Sequence, residues 1–363
     1  MSERREPFTL VLAALTALMG VGALPGGADL LLLAAGLIII GIGTGLMADR
    51  APAWVVPLAI AGLLLALPQR LQTADPAQAG FWFAVAGVWL AAWLLVTLLA
   101  RFRPPSGPVG AVLKLAPALI FGVTLLWLWQ TAATALQVPS VILPTPTQIG
   151  ARLVSSTDVL WTDLVQTFVR GALSGFAIGC GAAILFALVV DRYAFLRRGL
   201  LPVGNFLAAL PIIGTAPIFV MWFGFDWPSK SAVVVAMVFF PMLVNTVQGL
   251  TATTAMQRDL MRTYSAGWWQ TLMTLRLPAA MPFVFNGLKI SATLALIGAI
   301  VAEFFGSPTR GMGFRISTEV GRLQLDMVWA EIAVSALLGS AFYGFWALLE
   351  RRVTFWHPSQ RSR

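Results

Sequence analysis

The sequence predicts an all-α polytopic membrane protein of about ten transmembrane helices, and three observations point there. Of 363 residues, 58% are hydrophobic and only 11% charged, where a soluble domain carries about a quarter of its residues as Asp, Glu, Lys and Arg. The apolar residues gather in runs near the roughly 20 residues that a helix needs to cross about 30 Å of hydrocarbon. Those runs lack the alternation of a membrane barrel and exceed its strands of about ten residues. Too few charges remain to cover a water-facing surface, which excludes a soluble enzyme and a disordered or fibrous chain.

In order, the runs bounded by charges or Pro/Gly clusters lie near 8–24, 30–47, 52–67, 81–100, 115–136, 164–190, 199–222, 231–251, 280–305 and 328–349. Arg4 and Arg5 precede the first run as in a signal peptide, but a second run starts at Leu30 with no cleavage site and soluble domain between. Phe8 to Leu24 is therefore read as a retained span. Residues 1–110 form four short-looped spans that end in RFRPPSGPVG (Arg101 to Gly110), whose Pro and Gly mark a module boundary. Residues 111–355 supply six further spans with longer loops, including 251–279, and residues 356–363 form a tail.

Orientation follows from the basic residues, because cytoplasmic loops retain Lys and Arg. With the amino terminus inside, Arg50, Arg101, Arg103, Lys114, Arg192, Arg197, Arg198, Arg258, Arg262, Arg276, Arg351 and Arg352 face the cytoplasm, against Arg70, Arg152, Lys230, Arg310, Arg315 and Arg322 outside. Both termini are then cytoplasmic. The net charge of +9 orients the chain and is no sign of nucleic-acid binding.

No GxxxxGK[ST] phosphate loop is present, His357 is the single histidine and Cys180 the single cysteine. A nucleotide-hydrolysing loop, a His-based metal centre, a Ser-His-Asp triad and an intrachain disulfide are thereby set aside, so no catalytic residue, metal or bound cofactor is expected. Polar groups inside apolar spans face protein or water in preference to lipid. Asn205, Thr215, Asn245, Gln248, Asn286 and Glu303 are the candidates to line a solute pathway, with helix–helix hydrogen bonding as the alternative reading. Glu303 is expected near the outer mouth as a structural or gating residue. Lys289 lies about 21 Å away along the same helix, too far to pair with it.

The most informative stretch is TATTAMQRDLMRTYSAGWWQTLMTLRLPA, Thr251 to Ala279. Ala255 to Tyr264 forms a short amphipathic helix, Ser265, Ala266 and Gly267 a turn, and Trp268 to Leu277 a second helix ended by Pro278. Arg258, Asp259 and Arg262 beside Trp268 and Trp269 suit a docking element for a protein partner. A helix lying on the bilayer with its tryptophans at headgroup depth fits those features as well.

The loop also resembles the cytoplasmic signature of the importer permeases of the ABC transporter superfamily: E-A-A, three residues, G, nine residues, I-x-L-P. Aligned on Leu275-Arg276-Leu277-Pro278, the signature places Asp259-Leu260-Met261 at E-A-A and Ser265 at the glycine. Asp keeps the acid, while Leu, Met and Ser depart from the pattern. VPSVILPTPTQIGARL (Val138 to Leu153), ALPIIGTAPIFVMWFGFDWPSK (Ala209 to Lys230), FFPMLVNTVQGL (Phe239 to Leu250), LPAAMPFVFNGLKI (Leu277 to Ile290), IGAIVAEFFGS (Ile297 to Ser307) and RGMGF (Arg310 to Phe314) are similar to the taurine, sulfonate, nitrate and thiamine-precursor group.

The resemblance covers residues 115–355 and leaves the four amino-terminal spans without a counterpart. It implies a six-span permease core working as a homodimer in a bacterial inner membrane. Two ATPase subunits carrying ATP and Mg would sit on the cytoplasmic face, and a periplasmic solute-binding protein outside. Arg258, Asp259, Arg262, Ser265, Ala266, Gly267, Leu277 and Pro278 would then form the ATPase-coupling element. An ion-gradient-driven secondary transporter and a non-transporting membrane scaffold are the competing readings.

Overall fold

The computed structural model describes residues 7–24, 28–47, 60–61, 75–78, 80–101, 107–193, 195–196, 199, 211–306 and 309–357. Among them there is no strand. Six helical runs are long and apolar enough to cross a membrane: Phe81–Ala100, Leu113–Ala135, Thr157–Arg192, Trp227–Thr251, Trp268–Phe305 and Leu325–Val353. Shorter apolar helical stretches cover Thr9–Ala23, Ala34–Thr44 and Gly214–Phe223. The predicted run at 52–67 lies outside the described residues except for 60–61, and that at 199–222 is described at 199 and from 211 onward. The described residues thus show six spans of full length where the sequence predicts ten.

The chain packs as two compact units, residues 1–148 and 149–363. In the first unit, α1 (Pro7–Ala23), α2 (Ala28–Met47) and α3 (Phe81–Arg101) pack against one another, and α4 (Pro108–Ala135) packs on α3. Leu12, Leu30, Leu37, Phe81, Leu94 and Leu95 fill their shared interior. Proline at the start of α4 is pre-set for a first helical turn and lacks only an amide that would have no partner there. Trp89 of α3 meets Phe121 of α4 at 5.7 Å between ring centroids, so α4 belongs by packing to this unit, although the compositional boundary falls at its start.

The second unit opens within α5 (Pro146–Ser155) and continues with α6 (Thr157–Leu164), which runs through a π-helical segment, Val165–Leu173, into α7 (Ser174–Arg192). Next come α8 (Ile212–Phe223), α9 (Trp227–Thr251), the short α10 (Ala255–Thr263) and α11 (Trp268–Thr271). A π turn at Leu272–Arg276 joins α11 to α12 (Leu277–Phe305), and α13 (Met312–Gly321) and α14 (Leu325–Val353) complete the unit. The helix expected to stop at Pro278 instead continues from Trp268 to Phe305. Pro278 stands in the first turn of α12, just after the π turn, where the backbone hydrogen-bond pattern is already shifted and a missing amide is least costly.

Helices α7, α9 and α12 form the heart of this unit. Gly175 and Gly179 of α7 let it approach α9 closely: a Cβ on Gly175 would stand 2.6 Å from Val234 Cβ, and one on Gly179 2.5 Å from Val238 Cγ2. Small residues at such seams raise dispersion contact between helices where lipid supplies no hydrophobic drive. Between α7 and α14, Phe176, Phe342 and Trp346 interlock, with Phe176 and Phe342 at 5.0 Å between centroids. Outward faces carry large apolar side chains such as Leu185, Leu337 and Phe345, the inverse of a soluble surface and the arrangement that hydrocarbon demands.

Candidate functional site

Helix α10 is built to stand out from the bundle. Thr254 and Gln257 form a reciprocal capping box, Thr254 Oγ1 accepting from the Gln257 amide at 3.3 Å and Gln257 Oε1 from the Thr254 amide at 2.9 Å. At the far end the Ser265 amide donates to Arg262 O at 2.8 Å and the Ala266 amide to Met261 O at 3.0 Å. Those two bonds are the Schellman closure, whose pivot residue must be left-handed. The pivot is Ser265, at φ 54°. The signature's glycine falls on this one position, and serine meets its geometry at a steric cost glycine would avoid. Gly267, by contrast, has an ordinary φ of −67° and starts α11.

No residue of α10 is buried. Arg258 reaches back to Thr253 O at 2.8 Å, and Arg262 pairs with Asp259 at 3.3 Å, an exposed pair worth about 0–1 kcal/mol. The polar residues singled out from sequence are therefore gathered on one short helix, while Ala266 and Gly267 make the turn behind it. Met256, Leu260 and Tyr264 are 82%, 57% and 75% exposed. Spaced four apart, they lie along one face of the helix. Their i, i+4, i+8 spacing is the signal in the sequence that marks this face.

Beneath the loop lies an open hollow of about 780 Å³ lined by Leu188, Val189, Arg192, Tyr193, Gly267, Trp268, Trp269 and Gln270. The Arg192 guanidinium sits 4.9 Å from the Trp268 ring centroid, within cation–π reach. Leu277 packs against the core and Pro278 begins α12, so these two signature residues root the element while α10 presents it. Between them and the loop, Arg276 holds Asp191 through two hydrogen bonds, Nη1 to Oδ2 at 2.7 Å and Nη2 to Oδ1 at 2.6 Å. It also donates to Leu250 O from Nε at 3.0 Å and Nη2 at 2.9 Å. Arg276 stands at the x of the signature's I-x-L-P, so the motif carries no signal of these bonds.

At the opposite end of α12, Glu303 is buried at 2% exposure. Its carboxylate accepts from Thr167 Oγ1, 2.9 Å from Oε2, and from the Gly313 amide at 2.8 Å. Asp163 accepts from the Gly311 amide at 2.7 Å and from Arg315 Nε at 2.8 Å. The turn between α12 and α13 is thus sewn to α6 by the Asp163 carboxylate, which takes the Gly311 amide in a charge-assisted bond, and to the π-helical segment by the Thr167 hydroxyl. Lys230, expected in a loop, is 1% exposed and donates to Phe225 O.

Of the other pathway candidates, Asn205 lies outside the described residues. Thr215 is half-buried on α8. Asn286 Nδ2 donates to Asn245 Oδ1 at 3.1 Å, and Gln248 stands one turn from Asn245 on α9. Asn286 and Gln248 are exposed and Asn245 half-buried. These three form a polar strip on two largely apolar helices, and Glu303 is not part of it. Lys289 pairs with Glu350 at 2.7 Å.

Residues 175–355 match the family described as binding-protein-dependent transport system inner membrane component. A formylaminopyrimidine transport permease of Halalkalibacterium halodurans is 32% identical over 247 residues, covering 68% of this chain and 97% of that one. A riboflavin transport system permease of Chloroflexus aurantiacus is 30% identical over 248 residues, 67% of this chain and 92% of the relative. A taurine transport system permease of Escherichia coli is 28% identical over 244 residues, 64% and 86% of the two chains.

Proposed function

Because the chain belongs to the binding-protein-dependent transport inner membrane components, the permease subunits of ABC transporters, we propose that it forms half of the translocation pathway of an ATP-driven importer. The permease is multi-pass and performs no covalent chemistry. A second copy of the chain completes the pathway. A pair of ATPase subunits binds ATP and Mg on the cytoplasmic face, and a periplasmic binding protein delivers the solute in a bacterial inner membrane. Both termini face the cytoplasm, in keeping with the bias of Lys and Arg toward that side.

One observation carries the coupling assignment: α10 is capped at both ends by its own residues, buries none of them, and offers Met256, Leu260 and Tyr264 on a single face. An amphipathic helix held clear of its own bundle is shaped to lie in a partner's groove. Closure of the ATPase pair moves the two coupling helices and rocks the bundles between inward- and outward-open states. Replacing Asp259 by Lys together with Ser265 by Trp lowers ATPase co-purification and import while membrane insertion persists; normal import by that double variant sinks the assignment.

The solute is a small molecule of the sulfonate or taurine, nitrate, or pyrimidine-type precursor classes. Relatives named for taurine, formylaminopyrimidine and riboflavin support a small organic solute. The ligand retained by the binding protein that stimulates this permease tests the choice. Asn245, Gln248 and Asn286 are the residues proposed to meet it, since an exposed polar strip on apolar helices needs water or a partner copy. The working core is residues 111–355, with 1–110 an addition to it. Deleting 1–110 and measuring assembly and transport tests that division, and the packing of α4 on α3 leads us to expect a loss of assembled complex.

A further inference from the structure

We propose that Arg276 is the positioning residue that carries movement of the coupling loop into the helix bundle. The proposal rests on the reading of α10 as the ATPase-coupling element. With no residue buried, α10 cannot push the bundle through its own packing, so force must leave the loop through its covalent continuation. On its carboxyl side that continuation is the unbroken helical run Trp268–Phe305, and on its amino side it is α9, which ends at Thr251 and reaches α10 through Ala252, Thr253 and Thr254; each by itself moves one helix only.

Arg276 is where that run is fastened to two others. The π turn Leu272–Arg276 admits an extra residue per turn and so redirects side chains relative to a regular helix. Arg276 emerges at its end with its side chain 15% exposed. Two bonds take the carboxylate of Asp191 at the end of α7, and two take the carbonyl of Leu250 at the end of α9. Both targets are unfavourable without a cation. The Asp191 side chain is 1% exposed and sits in the last turn of α7, where the helix dipole opposes negative charge. Leu250 O belongs to the last-turn carbonyls that α9 cannot satisfy internally. A planar fork with five donors serves both at once, and a lysine ammonium at the same place cannot match that geometry. Ends of α7, α9 and α12 are thereby locked at one point, directly below the loop.

The test uses the assembled complex of permease and ATPase in lipid nanodiscs, reading amide hydrogen exchange over residues 309–321, at the far end of α12, with and without ATP. In the natural chain ATP changes that exchange. Arg276→Lys and Asp191→Asn are expected to reduce the ATP-dependent difference about tenfold, as loss of a strongly coupled buried pair would. ATPase co-purification and ATP hydrolysis should stay within about twofold. Arg276→Lys keeps the charge beside Asp191, so the trial does not depend on a variant that abolishes it. An undiminished exchange difference in either variant, absence of that difference in the natural chain, or loss of ATPase co-purification by a folded Arg276→Lys protein overturns the proposal. Failure of the underlying coupling reading shows separately, as ATPase retention by the Asp259→Lys, Ser265→Trp double variant.

Discussion

Thr167 donates its hydroxyl to the carboxylate of Glu303 across 2.9 Å, joining positions 136 residues apart in the chain. The same hydroxyl oxygen accepts the Met312 amide at 2.7 Å, so one threonine satisfies a buried carboxylate and a buried backbone donor together. Thr167→Val removes both bonds without changing shape, and unmade buried hydrogen bonds cost about 1–3 kcal/mol. The expected result is a lower melting temperature of the purified permease, with Thr167→Ser close to the natural chain. Equal melting of the Val and natural proteins would contradict these roles for the hydroxyl.

The turn that Glu303 holds also needs two glycines. Gly311 has φ +120°, and a Cβ there would meet the Glu303 carboxylate; one on Gly313 would run into the Ile300 carbonyl. Gly311→Ala and Gly313→Ala should each destabilise by more than about 2 kcal/mol, the first through positive-φ strain against a buried carboxylate and the second through a clash with backbone. Gly321→Ala has open space around its Cβ and should stay within about 0.5 kcal/mol. Thermal unfolding of the three variants side by side decides the matter.

Legibility in the sequence divides along the range of the interactions. The helix, turn and helix of residues 255–271 were legible because their determinants are local: Thr254 and Gln257 sit three apart as a capping box, and the signature's glycine position marks the left-handed pivot at Ser265. The burial of Lys230 and the partners of Glu303 were not, because Thr167 and Gly313 reach Glu303 only through tertiary packing. Pro278 misled for a related reason. Proline ends a helix only where an amide is required, and the π turn before it alters which amides are required.

Ser265 at φ 54° yields a prediction of the opposite sign to most substitutions. Ser265→Gly relieves a left-handed penalty of about 1 kcal/mol, whereas Ser265→Val adds a β-branched side chain to the same backbone. ATPase co-purification should be equal or higher for the glycine variant and lower for valine. A valine variant that binds ATPase like the natural chain would mean that the turn does not hold α10 in its docking pose.

The apolar face of α10 makes a sharper demand. Leu260 is 57% exposed and contributes nothing to the interior, so Leu260→Asp should leave the melting temperature of the isolated permease within about 1 °C of the natural value, as surface changes do. In a partner's groove the same carboxylate would be buried without a counter-charge, which costs several kcal/mol. Loss of ATPase co-purification at unchanged melting temperature is the expected pair of results.

The polar strip separates passage of solute from stability in the same manner. Asn286 donates to Asn245 at 3.1 Å yet is exposed, so Asn286→Leu removes one partly hydrated hydrogen bond, worth about 0.5–1.5 kcal/mol of stability at most. If the strip faces the solute, the loss appears in transport, because a polar group that greets a polar solute is replaced by one that repels it. Import should fall several-fold, with KM for the binding-protein complex unchanged and ATPase co-purification intact. Leu185 is also exposed, on the outer face of α7, and Leu185→Asn there should instead impair membrane assembly, since hydrocarbon leaves its amide without partners. Unaltered import by Asn286→Leu would remove the strip from the pathway and return Asn245 and Asn286 to a purely helix-joining role.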